Sequence, residues 1–427
     1  MAETLRQAMM GWTQVPAPQF VGGNQVELLE GGDALFPRMC SAIAAAQHDV
    51  WLATYIFHDD PGATSVANAL KSAAARGVAV HLVVDGFGSI TTMDRVRAMF
   101  ADSGVLFEVF RPLDRWYAWL QPGQLRRLHQ KLCVCDRDVA FVGGINLIDD
   151  RHDMNHGWVD APRLDFAVSV RGPLVQAVHT TARAMWARAH LRRDWREEAR
   201  VVVRSAQPVK EAIALLGQLR SAKPGRAAAT ATATAEPMRA AFLVRDNLRQ
   251  RRAIERSYVE AIRRARHQVD IAVPYFYPGH GFRTALRKAA RRGVQVRLLL
   301  QGKIDYRFAA MAAQALYDEM RSTGIQVYEY TPAFLHAKVA VVDDNWATVG
   351  SSNIDPLSLL LNLEANVVVR DADFARTLRA RFDAAFAVST LVSGPPQRAG
   401  MQGWMRRIFV AGAANLYLRI AGITGRY

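Results

Sequence analysis

The sequence contains the same short pattern of polar residues twice, once in each half of the chain. Both copies follow the spacing H-x-K-x4-D-x6-G-[GS]-x-N. Their members are His129, Lys131, Asp136, Gly143, Gly144 and Asn146, and His336, Lys338, Asp343, Gly350, Ser351 and Asn353. A single histidine and lysine two residues apart would often be accidental. Duplication at matching spacing instead indicates two related halves.

Each copy begins on a predicted strand, Leu128–Cys135 or Leu335–Val342, so its histidine and lysine point to one face. An imidazole can attack phosphorus or transfer a proton near neutral pH. The lysine neutralises charge that develops on the non-bridging oxygens. Ser351 and Asn353 can donate hydrogen bonds to phosphate oxygens. Together the two copies predict one site that cleaves a phosphodiester.

The rest of the chain alternates between predicted strands and helices in both halves. Ala42–Ala53 resembles Ala261–Ala272, and Arg-Gly pairs ending at Gly77 and Gly293 close equivalent helices. These repeated βαβ-like units predict an α/β fold with two pseudo-symmetric α/β/α sandwich domains. We expect mostly parallel mixed sheets and one active site shared by the two domains.

Changes in composition divide the 427 residues into five segments. The low-complexity stretch Ser221–Pro237 is predicted to be a linker. The last segment combines arginines with aromatic and aliphatic residues, which suits a helix in an anionic membrane interface or one docked on the core. The expected segments are a leader (1–20), a first domain (21–220), the linker (221–237), a second domain (238–395) and a basic membrane-association segment (396–427).

The charge balance predicts an anionic partner. The chain has 54 Lys and Arg against 39 Asp and Glu, a formal net charge of +15. Such a surface suits an anionic membrane or a nucleic acid, and charge alone does not choose between them. We find no apolar run that could span a bilayer and no signal peptide. The three cysteines lack the spacing of a metal site, which indicates reduced thiols in a cytosolic chain.

Two further sets of polar residues could have either a functional or a structural role. Asp136 and Asp343 end their strands, where a carboxylate can support the chemistry or cap a turn. A polar cluster near the first motif could instead bind a metal ion, but its irregular spacing favours a solvated loop, so no metal or other cofactor is expected. Its members are Asp149, Asp150, His152, Asp153 and His156.

The two motifs resemble those of the phospholipase D superfamily, in which two such motifs from pseudo-symmetric halves form one active site. VGSSNIDPLSLLLNLEANVVV (Val349–Val369) and FVGGIN (Phe141–Asn146) are similar to bacterial cardiolipin synthases. The lack of predicted N-terminal membrane spans makes the B class the nearest match. The resemblance covers most of Val21–Phe386. Gly144 stands where serine is common, so one hydroxyl donor is missing there.

The resemblance implies a double-displacement reaction through a phosphohistidine. By similarity, His129 is the nucleophile and His336 the acid and base. Lys131, Lys338, Asn146 and Asn353 would bind the phosphate. The family places a histidine-orienting carboxylate downstream of each motif, and Asp165 and Glu364 match those positions. The candidate catalytic set also includes Asp136 and Asp343, and the phosphate-binding set includes Ser351.

The implied reaction makes cardiolipin from phosphatidylglycerol on an anionic phospholipid membrane. We expect a peripheral protein on the cytoplasmic face of the bacterial inner membrane, with no nucleic acid partner. Oligomeric state is left open. One alternative is a phosphodiesterase that hydrolyses phospholipid or nucleic acid. The other is a non-enzymatic scaffold that binds anionic lipid or nucleic acid. The products formed from lipid or DNA would discriminate between them.

Overall fold

The computed structural model describes residues 18–112, 126–204, 238–245, 250, 252–303, 316–355 and 362–393, except for the side chains of 192–204. The predicted linker and the C-terminal segment 396–427 lie outside these residues, as does the leader apart from residues 18–20. The five segment boundaries therefore stay predictions. Within the described ranges, no helix is long and apolar enough to cross a membrane.

The strands of the first half alternate with helices and then continue as hairpins. They are β1 (Val21–Glu30), β2 (Asp49–Thr54), β3 (Ala79–Asp85), β4 (Leu106–Phe110), β5 (Lys131–Cys135), β6 (Val139–Gly143), β7 (His152–Asp153), β8 (Gly157–Trp158) and β9 (Phe166–Arg171). The strands of the second half are β10 (Met238–Arg245), β11 (Gln268–Val273), β12 (Gln295–Gln301), β13 (Gln326–Tyr330), β14 (Val339–Val342), β15 (Trp346–Gly350), β16 (Glu364–Arg370) and β17 (Thr390–Leu391).

Helices cover the faces of the strands in both halves. They are α1 (Gly31–Ala45), α2 (Pro61–Ala75), α3 (Met93–Phe100), α4 (Val175–Arg204), α5 (Ala253–Arg264), α6 (His280–Arg291) and α7 (Ala372–Ala387).

The ends of α2 and α6 follow directly from the sequence. Asp60 Oδ1 accepts a hydrogen bond from Ala63 N at 2.9 Å, and Pro61 takes the first helical position. At the other end, Gly77 has a φ of +90°, which glycine adopts without strain. Gly293, with a φ of +88°, ends α6 in the same way. The predicted repetition of these helix ends is confirmed.

Fifteen strands form one continuous mixed sheet, in the order β17-β13-β12-β11-β14-β15-β16-β10-β1-β9-β6-β5-β2-β3-β4. The α/β class and the repeat are confirmed, and β2-β3-β4 and β11-β12-β13 are parallel as expected. The prediction of a mostly parallel sheet is wrong. The strands that carry the motifs pair antiparallel, because three residues join β5 to β6 and such a short connection permits only a hairpin.

The two halves are joined at the centre of this sheet rather than forming separate sheets. β1 pairs antiparallel with β10, with Val21 opposite Ala240. One buried hydrophobic cluster accordingly contains Val168 of the first half together with Val244 and Val367 of the second. Burial of these side chains on both sides of the junction stabilises the contact between the halves.

The register places both ends of the first motif at one edge of the sheet. β5 runs antiparallel to β2, so Ala53 near the end of β2 pairs with Leu132 near the start of β5. Residues that precede β5 therefore lie beside residues that follow β2, β3 and β6. We call this region of the first half, formed by residues 55–60, 86–92, 126–130 and 144–165, the motif edge.

Candidate active site

The first motif strand begins at its lysine, Lys131, and the second begins just after its lysine, at Val339; the residues before each strand contact the opposite half. His129 N donates to Leu363 O at 3.0 Å, and His336 N donates to Leu164 O at 2.9 Å. The sequence predicts strands that start at residues 128 and 335, but these crossed contacts shorten both. Since each leucine immediately precedes an acidic residue, each motif histidine comes to lie beside a carboxylate of the other half.

The two histidine–carboxylate pairs are therefore crossed. His129 Nδ1 lies 3.0 Å from Glu364 Oε2, and His336 Nδ1 lies 2.6 Å from Asp165 Oδ2. A carboxylate on Nδ1 favours the tautomer with its proton there and leaves Nε2 to meet a substrate. Asp165 and Glu364, predicted from the resemblance alone, thus lie where histidine-orienting groups are needed.

The two lysines are buried directly behind the histidines. Lys131 Nζ donates to His129 O at 2.8 Å, and Lys338 Nζ makes the equivalent bond to His336 O. Burial lowers the pKa of Lys131 to about 8 and that of Lys338 to about 7, although nearby carboxylates oppose the shift. A buried ammonium group is stabilised by a neighbouring anion, so the pair favours a bound phosphate.

In the free protein, both motif histidines favour the neutral form of the imidazole. Burial lowers the pKa of His129, and the pKa of His336 is lowered well below its usual value by burial and then by the charge of Lys338. Neutral imidazoles have a lone pair on Nε2, which a nucleophile or a base requires.

The pKa values of the two orienting carboxylates are shifted in opposite directions. Burial raises the pKa of Asp165 to about 6. Burial would also raise the pKa of Glu364, but attraction to His129 and the hydrogen bond with it lower that pKa below its usual value. Glu364 therefore remains ionised at a pH where Asp165 begins to take up a proton.

The predicted phosphate-binding residues differ in their hydrogen-bond partners. Asn146 and Asn353 are both buried at the ends of their motifs. Asn146 Oδ1 accepts from Ile56 N at 3.3 Å, which leaves its NH2 group available to donate. Ser351 Oγ instead donates to Glu364 Oε2 at 2.5 Å and accepts from Ala365 N at 3.0 Å. The Ser351 hydroxyl is engaged by the carboxylate in this structure, so its assignment to the phosphate stays a prediction that these contacts do not support.

Gly144 takes the position that Ser351 has in the second half, and its lack of a side chain has a steric reason. A Cβ atom there would lie 2.4 Å from Asp165 Oδ1. The glycine therefore makes room for the carboxylate that orients His336, in addition to removing a hydroxyl donor.

Asp136 and Asp343 are not brought to this site. Asp136 follows β5 at the end remote from His129, about 20 Å away at the usual rise of a strand. It accepts hydrogen bonds from the backbone N–H groups of residues 47, 48 and 49. Asp343 accepts from those of residues 266, 267 and 268 in the same manner. Their place in the catalytic set is corrected: both close a turn at the base of the sheet.

The sequence analysis missed Tyr55, which lines the same site. Its ring centroid is 4.8 Å from that of His129, and Lys131 Nζ lies 5.4 Å from it. An aromatic face close to an ammonium group stabilises the cation. The position of Tyr55 just after a buried strand could have indicated it, since that strand ends at the motif edge.

Two polar residues that support the first motif were also missed. Gln130 Nε2 donates to Glu364 O at 3.0 Å, which adds a contact between the halves. Asp85 Oδ2 accepts from Leu128 N at 2.8 Å and fixes the chain that leads to the histidine. Gln130 occupies the variable position of the first motif and Asp85 lies outside it, so only the three-dimensional contacts reveal their roles.

The acidic loop after the first motif is not a solvated loop as expected. Asp150 and Asp153 are buried. Asp150 Oδ2 accepts from Gly32 N at 2.5 Å, and burial raises its pKa to about 7. Asp153 Oδ1 accepts from the backbone N–H groups of Asn155 and His156. These carboxylates satisfy backbone groups that would otherwise be buried without a partner.

The site thus provides two imidazoles with free Nε2 atoms, two opposed carboxylates and two buried ammonium groups. This set can form and break a bond from nitrogen to phosphorus.

Comparison with known proteins places this geometry in context. The family model described as the cardiolipin synthase PLD-like domain matches residues 39–159 and 258–386, which contain the two motifs. Cardiolipin synthase B of Salmonella typhimurium (strain LT2) is 38% identical over 367 residues, covering 84% of this chain and 79% of that protein. Cardiolipin synthase B of Escherichia coli (strain K12) is 36% identical with the same coverage.

Among solved structures, phosphatidylserine synthase of Haemophilus influenzae Rd KW20 matches with a TM-score of 0.63. The match covers 97% of this chain and 99% of that one, at 10% sequence identity. At this identity the likeness shows a common fold alone.

Proposed function

The chain belongs to the cardiolipin synthase family with phospholipase D-like domains, and from that premise we propose that it is a phosphatidyltransferase that makes cardiolipin. It moves the phosphatidyl group of one phosphatidylglycerol to a glycerol hydroxyl of a second, and glycerol leaves. The observation that carries the proposal is the pair of crossed histidine–carboxylate contacts beside two buried lysines.

In the first step, His129 Nε2 attacks the phosphorus of the donor lipid. A nitrogen–phosphorus bond forms, and the bond from phosphorus to the glycerol oxygen breaks. His336, in its protonated form, gives a proton to that oxygen, and glycerol leaves. The anionic phosphodiester favours the protonated form of His336 as it enters the site.

In the second step, a hydroxyl of the acceptor phosphatidylglycerol replaces the glycerol. His336 Nε2 removes its proton, and the oxygen attacks phosphorus. The nitrogen–phosphorus bond to His129 breaks, which releases cardiolipin and restores both imidazoles. The same group therefore acts as acid and then as base.

The different carboxylates support this division of roles. The phosphorylated imidazole of His129 carries positive charge while its Nδ1 retains a proton, and the ionised Glu364 stabilises it. His336 has to gain and lose a proton in each cycle, and its partner Asp165 titrates near neutral pH. Glu364 therefore suits the nucleophile and Asp165 suits the proton carrier.

Lys131 and Lys338 would contact the non-bridging oxygens of the transferred phosphate. Their charge stabilises the negative charge that builds up as phosphorus becomes five-coordinate. The amide groups of Asn146 and Asn353 would donate to the same oxygens.

The motif edge has the surface that a lipid substrate requires. Among the described residues, the large hydrophobic side chains exposed there are Phe87, Ile90, Met154 and Trp158. Arg127 Cζ lies 5.2 Å from the ring centroid of Phe87. Arg127 is itself buried and lies 3.8 Å from Asp85, so the exposed apolar side chains, among them the indole of Trp158, are what suits a membrane interface. We infer a peripheral protein on the cytoplasmic face of the bacterial inner membrane, with its site open to the lipid surface.

The proposal is tested by expressing the chain in bacteria that lack their own cardiolipin synthases. Lipid mass spectrometry should detect cardiolipin with the unaltered protein and none with His129→Ala or His336→Ala. Phosphatidic acid without cardiolipin would instead identify a hydrolase. Absence of both products, with the protein folded and bound to membranes, would overturn the proposal.

The order of the two histidines has its own test. Brief exposure of His336→Ala to phosphatidylglycerol with labelled phosphate, followed by denaturation, should leave label on His129. Label on His336 in the reciprocal variant His129→Ala would reverse the two roles.

A further inference from the structure

Two histidines and a carboxylate meet on the motif edge, and none of them belongs to the two motifs. His58 and Asp60 lie between β2 and α2, and His152 begins β7. His58 Nδ1 is 3.3 Å from Asp60 Oδ2, and His152 Nδ1 is 3.7 Å from the same oxygen. One nitrogen or oxygen from each residue lies within 4.8 Å of the other two.

The carboxylate at the centre of this cluster is held in place by backbone groups. Asp60 Oδ1 accepts from Ala63 N at 2.9 Å as the cap of α2, and Oδ2 accepts from Asp149 N at 2.8 Å. The side chain of Asp60 is only 2% exposed. A buried carboxylate fixed on both oxygens is a preorganised ligand.

The three atoms that converge are all hydrogen-bond acceptors. Asp60 N donates to His58 Nδ1 at 3.1 Å, so that nitrogen carries a lone pair rather than a proton. His152 Nδ1 is buried and has no hydrogen-bond partner among the described residues. His58 Nδ1 and Asp60 Oδ2 each accept one backbone N–H, so a metal ion at His58 Nδ1 would replace the hydrogen bond from Asp60 N. His152 Nδ1, in contrast, faces the carboxylate oxygen with no donor. Such an arrangement is stabilised by a cation.

The spacing of the three atoms fits a transition metal. Zinc bonds to imidazole nitrogen and carboxylate oxygen at about 2.0 to 2.2 Å, which puts tetrahedral ligand atoms roughly 3.3 to 3.5 Å apart. The observed 3.3 and 3.7 Å are close to that separation. Two imidazole ligands argue against calcium and magnesium, which prefer sets of oxygen atoms.

The repeat shows that the fold does not require this cluster. His58 N donates to Leu147 O at 2.8 Å, and Tyr277 N makes the same bond to Ile354 O in the second half. Tyr277 therefore replaces His58, and Gly279 replaces Asp60 as the residue that caps the following helix. The second half builds the same connection without the equivalents of His58 and Asp60, so the presence of these two residues in the first half needs a separate reason.

We propose that His58, Asp60 and His152 bind one divalent transition-metal ion, with zinc as the best match and water as the fourth ligand. The ion would join the β2–α2 connection to the hairpin of β7 and β8. That hairpin carries the exposed Met154 and Trp158, and the His152 ring centroid is 5.1 Å from that of Trp158. The bound metal therefore fixes part of the surface that faces the lipid.

The test uses untagged full-length protein freed of metal with a chelator. Zinc is titrated by calorimetry, and cobalt is titrated by its visible absorption, which reports the coordination geometry. We expect one ion per chain and a rise in melting temperature on binding. His58→Ala and His152→Ala should each weaken binding by at least about tenfold.

Two controls separate this site from other histidines. His156→Ala alters the same loop, but its ring contacts Asp153 rather than the cluster, so binding should be unchanged. The double variant His129→Ala/His336→Ala should also retain the ion. The proposal is overturned if the folded protein binds neither metal, or if this double variant loses the ion while His152→Ala keeps it.

Discussion

At the scale of single residues, the two halves orient their histidines with different combinations of side chains. The second half uses the longer Glu364, with Ser351 donating to it. The first half uses the shorter Asp165, and Gly144 leaves space for it. Each carboxylate is thus matched in size to the residue that it contacts.

We expect Gly144→Ser to reduce transferase activity by roughly 100-fold. The new Cβ would displace Asp165, and a shift of about 1 Å at a catalytic group can cost that much. Turnover of purified protein on phosphatidylglycerol vesicles measures the effect, and a thermal melt checks the fold. Ser351→Gly is the matched control at the equivalent position. It removes the hydrogen bonds of the Ser351 hydroxyl to Glu364 and Ala365 without a clash, so its loss should be smaller; equal losses would contradict the steric reason.

The rate of transfer should depend on pH as a bell-shaped curve. Below about 6, Asp165 takes up a proton and no longer accepts from His336, so activity falls. Above about 7 to 8, Lys338 and then Lys131 lose their charge, because burial has lowered the pKa of both. Initial rates at constant ionic strength test this. Lys338→Arg should extend the alkaline side of the curve, and a rate that keeps rising above pH 8 would refute the assignment.

At the scale of elements, the carboxylates that end the motif strands stabilise turns. Asp343 accepts three backbone hydrogen bonds and has a φ of 47°, a conformation that aspartate tolerates better than most residues. Asp136 repeats the arrangement with a φ of 50°. Each carboxylate joins the end of a motif strand to the residues that precede β2 or β11.

Asp343→Asn should therefore lower stability without altering the chemistry. An amide has one oxygen where the carboxylate has two, so we expect a loss of about 2 kcal/mol in the free energy of unfolding. Denaturant unfolding measures the loss, and activity per folded molecule should stay unchanged. The neighbouring Asp344→Asn is the control, because Asp344 is 76% exposed and should matter little. A large fall in turnover for Asp343→Asn would restore Asp343 to the catalytic set.

Much of the site could be predicted from sequence, for physical reasons that also explain what was missed. The two-residue spacing from histidine to lysine fixes both side chains on one face of a strand, so Lys131 and Lys338 were placed correctly. The spacing of residues within a motif does not show which half of the chain supplies the carboxylate that contacts each histidine. The crossed pairing of Glu364 with His129 depends on how β1 meets β10, and that contact joins residues far apart in sequence.

The lengths of the connections predict which neighbouring strands are parallel and which are antiparallel. The parallel βαβ units were predicted correctly because helices of suitable length separate their strands. The short link between β5 and β6, residues 136–138, permits only an antiparallel hairpin, whereas the repeated βαβ pattern predicts parallel strands.

At the scale of the whole molecule, the continuous sheet directs the ends of both motif strands to one region and exposes apolar side chains beside it. Phe87 and Ile90 follow β3, and Met154 and Trp158 belong to the hairpin of β7 and β8, yet all four lie on the motif edge. A surface assembled from several loops of a rigid sheet can contact a membrane without distorting the site.

We expect Trp158→Ala to weaken binding to phosphatidylglycerol vesicles by about tenfold, because a largely exposed indole would lose its place in the interface. Vesicle co-sedimentation measures this, and turnover of a short-chain, soluble phosphatidylglycerol should be retained. Leu106→Ala is the control, since Leu106 is similarly exposed but begins β4 at the opposite edge of the sheet. Equal effects of the two variants would exclude the motif edge as the membrane-facing surface.

The crossed pairing also sets an order of events during protein synthesis. His129 and Glu364 are separated by 235 residues, so a ribosome makes the first histidine roughly 10 to 50 s before its carboxylate. Through that interval, and in any chain that ends early, His129 lacks the group that orients it. Under the proposed mechanism, reactivity toward phospholipid is therefore expected to be gained when the fold is complete.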